Sequence, residues 1–124
     1  MAARPQLSAE LVAEPALNIM QSFHADTLAE VKAALATNPV VVIGMMQNPH
    51  CIAVRKNLDA AGVSYKYLEY GSYLSQWKKR LAIKLWSGWP TFPQVYVHGA
   101  LIGGNREMKA ALADGSFRQR LANK

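Results

Sequence analysis

Trp89-Pro90-Thr91-Phe92-Pro93-Gln94-Val95-Tyr96-Val97, with Gly99, Leu101-Ile102 and Gly103-Gly104 behind it, is the stretch that decides the fold. Its two prolines lack amide donors, so Trp89 to Pro93 reads as an irregular connection. Gln94 to His98 then reads as a strand, Gly99-Ala100 as a tight turn and Leu101-Ile102 as a returning strand. A two-residue turn makes the two strands antiparallel. Gly103-Gly104 opens a helix over about 106–113, and a further helical turn is expected near 117–121.

Upstream, Val40-Val41-Val42-Ile43 is a β-branched run without polar alternation, the pattern of a strand covered on both faces. The polar break Gln47-Asn48-Pro49-His50 leads into a helix over about 51–61, with Val54, Leu58 and Ala61 as its inner stripe and Gly62 as its end. Val63 to Tyr70 reads as the next strand. A strand–helix–strand unit crosses over right-handed, so its two strands are parallel. Asp26 is placed to cap an earlier helix carrying Leu28, Val31 and Leu35, which Asn38-Pro39 stops. A helix over about 73–85 puts Leu74, Trp77, Leu81 and Leu85 on one face, expected to be the inner one. The order helix, strand, helix, strand, helix, hairpin, helix gives an α/β fold, a mixed four-stranded sheet with helices on both faces. Residues 1–23 lack a clear period and read as an N-terminal arm with one helical turn; residues 24–124 read as the domain.

The chain has 124 residues, enough for one domain with a real core. Hydrophobic residues make up 51% and charged residues 18%, which excludes an intrinsically disordered chain. The longest apolar run, Val40 to Met46, is too short to span a membrane. Glu10, Glu14 and Pro15 interrupt the place where a signal peptide needs its apolar core, so a cytoplasmic location is expected. Cys51 is the single cysteine, which excludes an internal disulfide and a multi-cysteine zinc site and suits a reducing compartment. The net charge of +6 favours anionic partners. Nucleic acid ranks last among them, because no interleaved aromatic residues accompany the lysines. His24 and His98 read as surface residues.

The element order, the segment from Trp89 to Val97 and the pair Gly103-Gly104 resemble the glutaredoxin branch of the thioredoxin fold, above all the monothiol glutaredoxins, over about residues 26–122. The resemblance implies that Pro93 is a cis-proline beside the active-site loop, and that Thr91 and Phe92 lie along the tripeptide glutathione. It implies a glutathione γ-glutamyl site at Gly104, Asn105 and Arg106, where Arg106 reverses the charge of the family's aspartate. Arg80 and Lys84 fall at the family's spacing for ligands of a glutathione carboxylate. Independently of the family, they stand i, i+4 on a helix, within a span from Gly71 to Asn105 that contains no carboxylate side chain. Lys78 and Lys79 read as a solvated face.

The loop before Cys51 departs from the family pattern. Dithiol glutaredoxins carry Cys-Pro-Tyr-Cys there, preceded by a lysine. Set against that motif without gaps, Asn48-Pro49-His50-Cys51 puts Asn48 at the nucleophile, Cys51 at the resolving cysteine and Met45 at the lysine. A rival alignment makes Cys51 the nucleophile of the monothiol Cys-Gly-Phe-Ser motif, at the cost of two three-residue deletions. The gap-free alignment is favoured. Asparagine cannot attack a disulfide but can cap a helix. His50 reads as a rim residue in place of the family's tyrosine.

The resemblance therefore implies a glutathione-associated redox protein with weak or altered thiol–disulfide exchange through Cys51, acting on a mixed-disulfide substrate. Two alternatives stay open. One is a non-catalytic module that binds glutathione or an unidentified protein partner. The other is a glutathione-dependent carrier of a [2Fe-2S] cluster shared between subunits, with Cys51 as the iron ligand.

Overall fold

The computed structural model describes residues 5–123. Four strands, β1 (Val40–Gly44), β2 (Lys66–Glu69), β3 (Gln94–Val97) and β4 (Ala100–Gly103), form one sheet in the order β2-β1-β3-β4. β1 runs parallel to β2 and antiparallel to β3, and β3 antiparallel to β4. Every residue of β1 is buried, as a covered central strand requires. Helices α2 (Ala25–Thr37) and α4 (Trp77–Ser87) cover one face of the sheet. Val31, Ile43, Ile83 and Tyr96 meet there. Helices α3 (Pro49–Ala60), α5 (Asn105–Asp114) and α6 (Ser116–Ala122) cover the other, around Val42, Leu58, Met108 and Phe117. The α/β class, the mixed four-stranded sheet and the two helical layers are those expected. Among the described residues no helix is long and apolar enough to cross a membrane.

Several local expectations are corrected. Within the N-terminal arm, a 3₁₀ turn (Ala9–Leu11) precedes a full helix, α1 (Glu14–Ser22), rather than one turn alone, and α1 buries no residue. Asp26 does not cap α2. The cap position falls to His24, held at φ 47°, and Asp26 lies in the first turn. The hairpin turn is His98-Gly99, with both residues at positive φ as a tight β-hairpin prefers, so β4 already begins at Ala100. His98 is half-buried, and its Nε2 lies 2.8 Å from the Leu121 carbonyl, tying the turn to α6.

The largest correction concerns α4. Residues 72–75 form a turn closed by their own serines, with the Ser72 amide donating to Ser75 Oγ and the Leu74 amide to Ser72 Oγ. Gln76 at φ 56° then delays the helix to Trp77. The buried residues of α4 are Arg80, Ala82 and Ile83. By the 3.6-residue period Leu81 and Leu85 lie across the helix from Ile83, while Trp77 heads the helix one turn before Arg80. Leu74 is 96% exposed, Trp77 57% and Leu85 63%. Three of the four residues of the expected inner stripe are thus exposed, and Leu81 is half-buried. The apolar spacing was real, but the interior belongs to the face that anchors the loop.

Candidate functional site

The site lies at the end of the sheet where β1 stops and β3 begins, and three segments meet there. The first is the start of α3. Asn48 is its N-cap, and its Oδ1 accepts from the amides of His50 (2.9 Å) and Cys51 (3.0 Å). These are two of the amides that a helix start leaves without internal partners. Pro49 at the first helical position suits the same start. Asn48 Nδ2 donates to the hydroxyl of Tyr73 at 3.2 Å, and the Met46 amide donates to the Gly71 carbonyl. The loop before α3 is thus tied to the loop before α4.

Cys51 sits inside the first turn and is 1% exposed. Burial raises its thiol pKa above the ordinary 9.0, and the charge of Glu69 adds to the rise, against a hydrogen bond with the Met45 backbone that lowers it. Gly44 permits this packing. A Cβ there would stand 2.6 Å from Tyr67 Oη and 3.0 Å from Cys51 Sγ. Burial likewise pushes Tyr67 up to about 12, with smaller contributions from Cys51 and Glu69, while the Arg55 guanidinium, 4.2 Å from its ring centroid, opposes them. Met45, at the lysine's place in the gap-free alignment, is buried and supplies no cation. His50 is exposed beside the loop.

The second segment is Trp89 to Pro93. The Phe92–Pro93 peptide is cis. Gln94 is fully buried, and its Nε2 donates to the carbonyls of Trp89 (3.1 Å) and Thr91 (3.4 Å), while its Oε1 accepts from the Tyr96 hydroxyl at 2.8 Å. This one side chain braces the loop from inside the strand. Thr91 is exposed, Phe92 is buried, and Lys84 Nζ lies 5.7 Å from the centroid of the Phe92 ring. Lys84 therefore stands beside the loop.

Arg80, its expected companion, does not. It is buried, and its Nη1 donates to the backbone carbonyls of Tyr70 (2.9 Å) and Ser75 (2.6 Å). The guanidinium is a strut for the 70–76 loop rather than an exposed carboxylate ligand. The reason lies in the rotated helix, whose inner face carries Arg80.

The third segment is the start of α5. Gly104 comes close to the cis-proline loop: a Cβ on it would lie 3.3 Å from the Pro93 carbonyl oxygen and 3.8 Å from Trp89 Nε1. The Gly104 amide donates to Glu107 Oε1 at 2.9 Å, so the chain's own carboxylate occupies this end of the helix. Asn105 Oδ1 accepts from Asn57 Nδ2 of α3 at 3.0 Å, which turns that oxygen toward α3. Arg106 is exposed. The structure thus brings together Asn48, Cys51, Lys84, Thr91, Phe92, Pro93 and Gly104, with Asn105 and Arg106 at the rim. Tyr73, Gln94 and Glu107 are participants that sequence reading missed. Glu107, three residues beyond Gly104, carried a readable capping signal; Tyr73 carried none, because its partner lies 25 residues away.

A [2Fe-2S] cluster bridging two subunits needs a sulfur at the surface. The Cys51 thiol, buried against Gly44 and Tyr67, does not fit that role.

The family model described as Glutaredoxin matches residues 40–102. A Glutaredoxin-like protein of Dictyostelium discoideum is 47% identical over 100 residues, 81% of this chain and 81% of that protein. A protein of Synechocystis described as an uncharacterized monothiol glutaredoxin, ycf64-like, is 31% identical over 77% of this chain and 92% of its own length. Among solved structures, a buckwheat glutaredoxin–glutathione complex superposes with a TM-score of 0.70 at 26% identity, over 79% of this chain and 89% of that one.

Two outcomes follow. Gly44→Ala should destabilise the fold by about 1–3 kcal/mol in urea unfolding through overpacking, with part of that loss relieved in a Tyr67→Phe background. The second concerns pH. Cys51 keeps its proton in the folded state at pH values where the unfolded chain releases it. Stability should therefore be full below pH 9.0 and fall as pH rises above it. Tyr67 and Tyr96, both pushed up to about 12 mainly by burial, extend the loss at higher pH. Cys51→Ala should abolish the first part of that slope and leave the second.

Proposed function

The chain belongs to the glutaredoxin family of redox proteins, and from that premise we propose that it keeps the family's glutathione cleft while exchanging thiols only slowly, through Cys51. The observation that carries this reading is the first turn of α3: Asn48, which the gap-free alignment sets at the nucleophile of a dithiol relative, caps the helix, and the one thiol is buried with its pKa raised. Exchange requires a thiolate that reaches a disulfide in line. Here the thiolate is disfavoured by burial, and the approach is closed by the turn itself.

When the turn opens, Cys51 loses its proton to solvent, and its sulfur attacks one sulfur of oxidised glutathione. A Cys51–glutathione disulfide forms and one glutathione thiolate departs. The rate is limited by the opening and by the thiolate fraction. Lys84, Thr91 and the backbone near Pro93 would hold the tripeptide. The Gly104 amide contributes less than in relatives, because Glu107 already accepts from it. A reducing cytoplasm suits a protein with one sheltered thiol.

Intact-mass analysis after brief exposure to oxidised glutathione tests this reading. The native protein should take up glutathione slowly at neutral pH, and rapidly only in denaturant. Asn48→Cys should place a thiol at the helix start, pair it with Cys51, and raise the native exchange rate at least about tenfold, the change in thiolate fraction that one pKa unit brings. Rapid glutathionylation of native wild-type protein would contradict the reading.

A further inference from the structure

Two apolar surfaces of this chain are left without partners, and they match. One is the outer stripe of α4, the exposed Trp77 and Leu85 with the half-buried Leu81 between them, headed by Leu74 and flanked on the helix by Lys78 and Lys84. The other is the N-terminal arm, where Leu7, Leu11, Ile19 and Met20 are exposed and α1 buries nothing. We propose that a second copy of this chain covers the stripe, laying its arm along α4 while its own α4 receives the arm of the first.

Charge selects this occupant. Within the arm, residues 5–23 contain Glu10 and Glu14 and no lysine or arginine, whereas α4 presents Lys78, Lys79 and Lys84 and carries no carboxylate. Topology allows it. α2 and α4 share one layer, and the chain breaks at Phe23 and the left-handed His24 before entering α2, so the arm departs from the layer that carries the stripe. Two copies facing each other through that layer use the same two surfaces twice, which closes the assembly as a dimer. Opposed charges at the rim fix the pairing, and the apolar side chains supply the burial. The proposal stands on the fold and is independent of the thiol chemistry.

Sedimentation velocity of the reduced full chain, free of iron and glutathione, tests it. A monomer–dimer equilibrium weakened by salt is expected. Trp77→Ser with Leu85→Ser, or Ile19→Ser with Met20→Ser, should raise the dimer Kd at least about tenfold with an unchanged circular dichroism spectrum. All four side chains are exposed, so these variants should fold. Lys78→Glu with Lys84→Glu, and separately Glu10→Lys with Glu14→Lys, should each impair association alone and restore it when the two proteins are mixed. A monomer at every concentration, including one whose stripe instead binds an acidic partner protein, overturns the proposal. So does a dimer indifferent to these substitutions, or a mixture that fails to associate.

Discussion

The capping of α3 by Asn48 is the interaction on which the character of the site depends. One amide side chain accepts two backbone donors at the helix start and gives a third hydrogen bond to Tyr73. It thereby closes the first turn over Cys51 and joins the loop before α3 to the loop before α4. A cysteine in the same place could take the helix's partial positive charge but would leave those amides poorly satisfied. Asparagine satisfies them, and the turn becomes a structural cap rather than a nucleophile.

Other polar groups near the site are turned inward in the same way. Arg80 is spent on two backbone carbonyls, Gln94 on two more, and Glu107 on the Gly104 amide. Each of these bonds rigidifies a loop that a ligand would touch. Thr91 and Arg106 stay exposed, and the half-buried Lys84 ammonium lies beside the Phe92 ring.

The fold was legible because its strongest signals are local. A β-branched run gives β1, the proline pair gives the loop, and a two-residue turn gives the hairpin. The position of Pro93 and the capping role of Asn48 were legible for the same reason. The orientation of α4 was not, since its sequence carries apolar residues on more than one face. Arg80 is turned inward to the carbonyls of Tyr70 and Ser75 in the loop just before the helix, bonds with no mark in the periodicity. The helical content of the arm was hidden by Pro15, which breaks a helix interior but suits its first turn, where it stands here. Tyr73 escaped notice because its partner lies 25 residues away, and Gln94 because a polar residue at the head of a strand gives no sign that its amide turns back into the preceding loop.

The central claim is that the capped first turn holds Cys51 as a sheltered, protonated thiol. The most direct measurement is the appearance of thiolate absorbance in the ultraviolet as the folded protein is titrated, with Cys51→Ser as the blank. The thiolate should be half-formed only at a pH above 9.0. A thiolate already present near neutral pH would contradict the account and make Cys51 an activated nucleophile.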